Sequence, residues 1–325
     1  MKINITEEHD GLLLRDLLRR ELHVSAKLLA RLKRDENGIL VNGEAVTVRR
    51  ILHVGDIVEI SDFPEEPPTH IEAVELPVNI VYEDEYMLVA DKPPFMPTHP
   101  SHDHHYDTLA NALAYRYREI QSPYIFRPVS RLDRNTSGLV TVAKTKYASA
   151  QLNRVMHGGG FSKQYLAILE GVLPENEGEI DACLHRTAAS VILREVCPPD
   201  APDAEPSLTR YRVIFSDGKH SVVLASPVTG RTHQLRVHFD SLGATILGDD
   251  LYGKESDIIP RHALHAIALN FRHPITNEEM KLFSPLPDDI LKALRAVFGE
   301  AKAEEILNMV ENQIDQGTAY ETSKP

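Results

Sequence analysis

Residues 129–144 read Val-Ser-Arg-Leu-Asp-Arg-Asn-Thr-Ser-Gly-Leu-Val-Thr-Val-Ala-Lys. One carboxylate, Asp133, lies between Arg131 and Arg134. The small residues Thr136-Ser137-Gly138 follow, and then an apolar run that reads as a strand. Arginines at that spacing favour the ionised carboxylate and lower its pKa. An ionised, positioned carboxylate can serve as nucleophile or general base. A surface ion pair ahead of a buried strand accounts for the same spacing equally well, because structural ion pairs perturb pKa values too.

Such a carboxylate needs a scaffold, and the surrounding pattern supplies one. Ile80-Val81-Tyr82 and Met87-Leu88-Val89-Ala90 read as strands joined across Glu83-Asp84-Glu85. Helices are expected over 108–120 and 146–156, the second stopped by His157-Gly158-Gly159-Gly160. Residues 164–169, 209–215 and 221–225 read as strands. Strands that follow one another without intervening helices predict an α+β domain with a mainly antiparallel sheet. A helix opens after Thr229-Gly230-Arg231-Thr232, with Leu235, Phe239 and Leu242 on its buried face and Thr232 and Arg236 sharing another. Another helix is expected over 287–312.

The first 62 residues read as a small α/β module. Leucines 12, 13, 14, 17, 18 and 22 recur at near-helical spacing. Ser25 is a candidate N-cap for a second helix, Ala26 to Lys33. Asn42-Gly43-Glu44 between Ile39-Leu40-Val41 and Ala45-Val46-Thr47 signals a hairpin. Val54-Gly55-Asp56 turns into the strand Ile57–Ile60. Prolines 64, 67 and 68 mark a linker over 63–75, the second domain runs over 76–312, and 313–325 is a polar tail expected to fray.

Composition bounds the function more loosely. Hydrophobic residues make up 42% and charged residues 26% of the chain, ordinary values for a globular protein. No apolar run approaches membrane-span length, and the acidic start lacks the apolar core of a signal peptide. The two cysteines, Cys183 and Cys197, form no close metal-ligand pair, so a reducing cytoplasm is the expectation. The net charge of −13 speaks against nucleic acid only as an average. Lys27, Arg31, Lys33 and Arg34 cluster locally, with Arg49 and Arg50 nearby, and a local basic surface is what RNA needs.

The wording of 130–139 closely resembles the H-R-L-D-x-x-T-S-G-L signature of the RluA-type pseudouridine synthases. Asp91-Lys92-Pro93 with Thr98-His99-Pro100, Thr108-Leu109-Ala110-Asn111-Ala112-Leu113, and Lys163-Gln164-Tyr165 resemble further family motifs. So do Gly230-Arg231-Thr232-His233-Gln234-Leu235-Arg236-Val237-His238 and Leu247-Gly248-Asp249 with Tyr252-Gly253. Leu264-His265-Ala266 and His273-Pro274 complete the series in the family's order. The helix–helix–hairpin order of the first module resembles the S-four-type RNA-binding domain. That resemblance implies RNA docking along Lys27, Arg31, Lys33 and Arg34, though Asp35 and Glu36 dilute the patch and a solvated face explains it too.

The resemblance implies an isomerase that converts uridine to pseudouridine in structured RNA, most readily ribosomal RNA, with transfer RNA left open. It implies Asp133 as the catalytic carboxylate and Arg131 as the side chain that fills the gap left by the flipped base. It places Tyr165 against the target base and has Arg236 orient Asp133. Arg231, His233 and Gln234 fit substrate or phosphate contacts near a helix N-terminus, and a capping role fits them equally. The reaction calls for no redox cofactor and no metal, and no obligatory protein partner is evident. Ser130 replaces the family's usual histidine and Asn135 its commoner aspartate, neither at the catalytic position. Two rivals stand beside this reading. One is a non-catalytic RNA-binding or ribosome-assembly protein on the same fold. The other is a metal-dependent hydrolase using the His99–His105 segment, whose spacing does not match a metal-ligand pattern.

Overall fold

A computed structural model describes residues 2–22, 24, 26–61, 71–121, 124–188 and 190–315, without the side chains of Lys27 and Asp315. The candidate cap Ser25, most of the 63–75 linker and the tail beyond 315 lie outside the described residues.

The first module is a four-stranded antiparallel sheet of β1 (Lys2–Asn4), β4 (Ile57–Ile60), β2 (Ile39–Val41) and β3 (Glu44–Ala45), in that order. Its hairpin turns on Asn42 and Gly43, both at positive φ (56° and 82°), as a two-residue type I′ turn demands. The Asn42 amide donates to Asp56 Oδ1 (2.7 Å) and its Oδ1 accepts from Ile57 N (2.8 Å). The Asn-Gly and Gly-Asp turns are thereby joined. The leucine run departs from the single helix its spacing predicts. A helical turn at Leu14–Asp16 widens into a π-helix over Leu17–Glu21, with Leu22 N bonded five residues back to Leu17 O (2.9 Å). Leu14, Leu17 and Leu18 still form the buried face. The next helix, Ala26–Leu32, runs as its pattern predicts.

The second sheet follows the order β10 (Glu177–Asp181), β13 (Leu208–Ser216), β14 (His220–Pro227), β9 (Phe161–Glu170), β16 (Leu264–Arg272), β8 (Ser137–Ala143), β6 (Met87–Lys92) and β5 (Asn79–Glu83). Three short strands join its sides: β7 (Arg127–Pro128) on β8, β15 (Thr245–Ile246) on β9, and β17 (Glu279–Phe283) on β16. A separate hairpin pairs β11 (Cys183–Arg186) with β12 (Arg194–Cys197). Every named pairing is antiparallel except β8 with β16, so the domain is α+β with a mostly antiparallel sheet. β8 is buried at all seven positions and reads as a continuous apolar run because both faces of the sheet are covered. At Gly138 a Cβ would stand 2.3 Å from Ala266 O, so only glycine lets β8 meet β16 here.

Two helices seat on this sheet with caps legible in the sequence. Thr108 and Asn111 form a reciprocal capping box for Leu109–Glu119. Thr145 Oγ1 accepts from Ala148 N (3.0 Å) at the start of Lys146–His157. That second helix carries the first module, since the Gln151 amide donates to Leu22 O and Tyr147 packs on the module's core. The C-terminal helix expected over 287–312 is instead two helices, Asp288–Phe298 and Glu300–Asp315. Gly299 at φ 80° breaks the first and reverses the chain. No helix among the described residues is long and apolar enough to cross a membrane.

Candidate active site

Asp133 sits in the loop between β7 and β8, and six hydrogen bonds hold that loop. Thr98 Oγ1 donates to Leu132 O (2.9 Å) and accepts from Leu132 N (3.2 Å). The Lys92 ammonium donates to Arg134 O (3.2 Å) and Arg261 Nη1 to Asn135 O (2.9 Å). Thr136 Oγ1 bonds to His262 Nε2 (2.8 Å), and Thr136 N closes the turn on Asp133 O (3.1 Å). The loop under the carboxylate is thus tied to two distant segments, 92–98 and 261–262. Two of the anchors are cations buried outright, Lys92 and Arg261. Burial and the Arg261 charge push the Lys92 pKa down to about 7, against the pull of Asp133 and Asp91. Arg261 is itself clamped by Asp289, through Nε (2.6 Å) and Nη2 (3.0 Å).

The flanking arginines do not pair with Asp133. Both are exposed, and the cation that reaches its carboxylate among the described residues is Arg236, with Nη1 3.7 Å from Oδ2. Arg236 belongs first to another carboxylate. Its Nε and Nη2 donate to Asp249 Oδ2 (2.7 Å) and Oδ1 (2.6 Å), a bidentate pair with both residues buried. Asp249 also accepts from Leu251 N and Tyr252 N (3.1 Å each). Burial works to raise the Asp249 pKa, but the Arg236 hydrogen bonds and charge outweigh it and hold it below the usual value. Burial likewise works to lower the Arg236 pKa, and the same bonds with Asp249 reverse the outcome. The Tyr252 ring completes the clamp, 5.2 Å below the guanidinium.

The helix that carries Arg236, Gln234–Ser241, is buried from Gln234 to Phe239 and reaches solvent only at Asp240 and Ser241. Thr232 precedes it, so it does not share a helical face with Arg236, and His233 enters it at φ 58°. Gln234 is used internally. Its Oε1 accepts from Thr229 Oγ1 (2.7 Å) and Arg231 N (3.0 Å), and its amide donates to Leu208 O and Thr209 Oγ1 (3.0 Å each). Gln234 therefore shapes the opening of the helix and has no hydrogen-bonding group left over for a ligand. Arg231 stays exposed and pairs with Glu205 (3.1 Å). His233 Nδ1 bonds to the Tyr252 hydroxyl (2.8 Å), and burial lowers its pKa against the pull of Asp133.

These elements line a cleft open to solvent. Its walls include Arg131, Asp133, Lys163, Tyr165, Arg231, His233 and Arg236, and Asp133 is the one carboxylate among its lining residues. Tyr165 projects from β9, and burial, reinforced by the Asp133 charge, raises its pKa. The structure therefore gathers the four expected catalytic residues at one cleft, with Arg231, His233 and Gln234 on its rim. It places Arg31, Lys33 and Arg34 elsewhere, exposed on the first module, while the side chain of Lys27 lies outside the described residues. The histidine-rich segment divides its partners: His104 binds Asp107 (2.6 Å) and His99 lies edge-on to Phe126 at 4.8 Å.

Several site residues carried no assigned role in the sequence. Asp249 and Tyr252 lie within the motif Leu247–Gly253, and Lys92 and Thr98 precede the cleft, but only tertiary closure gives them their partners. Lys163 is the fifth. It lines the cleft without a hydrogen bond or ion pair among the described residues, and burial lowers its pKa.

Comparison with known proteins follows the same outline. Residues 86–241 match the family described as RNA pseudouridylate synthase, and residues 1–58 match the RluD ribosomal pseudouridine synthase N-terminal domain. The chain is 37% identical over 276 residues to the uncharacterised RNA pseudouridine synthase YjbO of Bacillus subtilis, covering 85% of this chain and 96% of that protein. It is 34% identical over 281 residues to ribosomal large subunit pseudouridine synthase D of Vibrio cholerae, covering 82% and 85%. Among solved structures, human RNA pseudouridylate synthase domain containing 1 aligns with a TM-score of 0.53 at 30% identity, over 69% of this chain and 87% of that one. Human RNA pseudouridylate synthase domain containing 4 shares the fold, with a TM-score of 0.56 at 24% identity, over 66% and 91%.

Proposed function

The chain belongs to the RNA pseudouridylate synthase family, and from that premise we propose that it isomerises uridine in ribosomal RNA, with Asp133 as the catalytic carboxylate. The activity is that of an RNA isomerase. The large-subunit RNA is favoured as target because relatives such as that of Vibrio cholerae carry it in their names. A cytoplasmic site of action accords with that target.

The reaction breaks the bond between ribose C1′ and base N1 and forms one from C1′ to C5. N1 gains a proton, and the hydrogen of C5 leaves to water. The base has to leave its stack to be turned, so the enzyme must extrude the nucleotide. Asp133 either attacks C1′ or removes a ribose proton to give a glycal. Both routes need a deprotonated carboxylate with a free lone pair. Among the described residues the Asp133 carboxylate accepts no hydrogen bond, and Arg236 Nη1 stands 3.7 Å from Oδ2 without occupying it. Tyr165, its pKa raised, stays a neutral phenol able to lie against the base and donate one hydrogen bond. Arg131, exposed at the mouth, is long and planar enough to enter the gap left by the base. Lys163 and Arg231 suit the phosphates, and Arg31, Lys33 and Arg34 with Lys27 suit RNA farther from the cleft.

One observation carries the residue assignment: the single carboxylate among the cleft's lining residues stands beside an arginine whose orientation a second, buried carboxylate maintains. Release of tritium from C5-labelled uridine in large-subunit RNA tests it. Asp133→Asn should lower the rate by about 10³-fold or more while RNA binding stays near the wild-type value. Wild-type tritium release by Asp133→Asn would refute the assignment.

A further inference from the structure

We propose that Phe95 is a stacking platform for a nucleobase next to the extruded uridine, an inference that rests on the RNA substrate argued above. Phe95 has φ 66°, in the left-handed region where a bulky side chain is strained. Six non-glycine residues have positive φ among those described: Asn42, Phe95, Gln121, Asp203, His233 and Asn277. Asn and Asp tolerate that region through local hydrogen bonds. Phenylalanine has no such means. Burial does not compensate either, because Phe95 is 43% exposed. An apolar ring held in a costly conformation and shown to water adds nothing evident to stability. His233, which shares the positive φ, lines the cleft.

The position of Phe95 says what the ring meets. The sequence Pro93-Pro94-Phe95-Met96-Pro97 surrounds it with residues of restricted φ, so the turn has little freedom to relax. That turn is bound to the catalytic loop. One ammonium, Lys92 Nζ, donates to both Met96 O (2.7 Å) and Arg134 O (3.2 Å), and Thr98 is bonded to Leu132 in both directions. Phe95 is thus carried on the framework that carries Asp133. Arg131 and Arg134, on the loop tied to this turn, are exposed and have no ion-pair partner among the described residues. An exposed aromatic on a framework that also carries exposed arginines is the composition that grips unstacked RNA, with the ring taking a base and the cations the phosphates. Extruding a uridine bares one face of each adjacent base. The Phe95 ring offers a replacement for that lost contact.

Phe95→Gly separates the two roles a phenylalanine could have here. Glycine accepts the backbone conformation freely, so the variant should unfold at a temperature no lower than the wild type. Its Kd for unmodified large-subunit ribosomal RNA, transcribed in vitro and measured by filter binding, should rise about 5- to 100-fold, the loss typical of one base–aromatic stack. The tritium-release defect should fall on KM rather than kcat. Phe95→Trp should restore binding, and Phe95→Leu should not. A lower unfolding temperature for Phe95→Gly would make the ring a packing residue and overturn the proposal. So would wild-type Kd in Phe95→Gly, or full binding by Phe95→Leu. Wild-type protein that releases no tritium from this RNA would instead defeat the ribosomal-RNA reading, a result recognisable without any variant.

Discussion

Replacing Asp249 by asparagine is the sharpest probe of how the cleft is organised. Arg236 stands among three carboxylates: Asp249 at 2.6 Å, and Asp133 and Asp250 at 3.7 Å each. At an effective dielectric of about 20 the closer approach favours Asp249 over Asp133 by roughly 2 kcal/mol, before its two hydrogen bonds are considered. Asp249→Asn keeps the shape and removes that preference. The guanidinium should then turn to Asp133 and bond it directly, which occupies the lone pair the reaction needs. Removing one partner of a buried ion pair costs about 3–5 kcal/mol, and the retained amide oxygen places this variant near the lower end. Urea unfolding should therefore show a loss of about 3 kcal/mol, and tritium release at saturating RNA should fall by about 10²-fold. The pH dependence has a defined sign. The folded-state pKa of Asp249 is depressed, so its contribution is fully present above the ordinary value of 3.8 and is lost as pH falls through the folded value. The stability gap between wild type and variant should be flat above about pH 5 and close in stronger acid. Wild-type stability with wild-type turnover in Asp249→Asn would refute the clamp.

Two further outcomes test the RNA contacts. Lys163→Met should raise the KM for RNA and reduce the slope of log affinity against log salt by about 1, as expected for one phosphate contact; an unchanged slope would mean that Lys163 touches no phosphate. Deleting residues 1–70 removes Lys27, Arg31, Lys33 and Arg34 but spares the cleft, so low-salt turnover of saturating small RNA should persist while affinity for large structured RNA falls. Unchanged affinity for the large RNA would show that the first module does not hold it.

The legible parts of this protein are those that a local pattern determines. Apolar runs predict β6, β8, β9 and β14 because each is buried over most of its length. Asn42-Gly43 predicts its hairpin because only a few residues accept two successive positive φ angles. The illegible parts depend on what the chain meets after it closes. Gly299 reads as one tolerated glycine inside a helical pattern, yet the backbone there takes φ 80° and the helix stops. The helix holding Arg236 shows an apolar stripe in sequence but is buried at every position from Gln234 to Phe239, so the polar residues there find partners in place of solvent.

The same distinction explains the misplaced charge pairs. Neighbours in sequence are the obvious candidates for Asp133, but an arginine one or two residues away in an extended loop need not point where the carboxylate points. Arg131 and Arg134 are left exposed, and Arg236, about a hundred residues on, takes their place. Lys92 and Arg261 are harder still to foresee, because ionisable residues are almost never fully buried without dedicated partners. Here the partners include backbone carbonyls of the Asp133 loop, Arg134 O and Asn135 O. A cation under those carbonyls costs desolvation, visible in the lowered pKa of Lys92. The compensation is a loop whose carboxylate is already in place when RNA arrives, so substrate binding does not have to order it. The committed cations lie beneath the loop, the uncommitted Arg131 and Arg134 are exposed on it, and the uncommitted Lys163 lines the cleft from β9. That division lets a chain of net charge −13 present positive charge where a polyanion must approach.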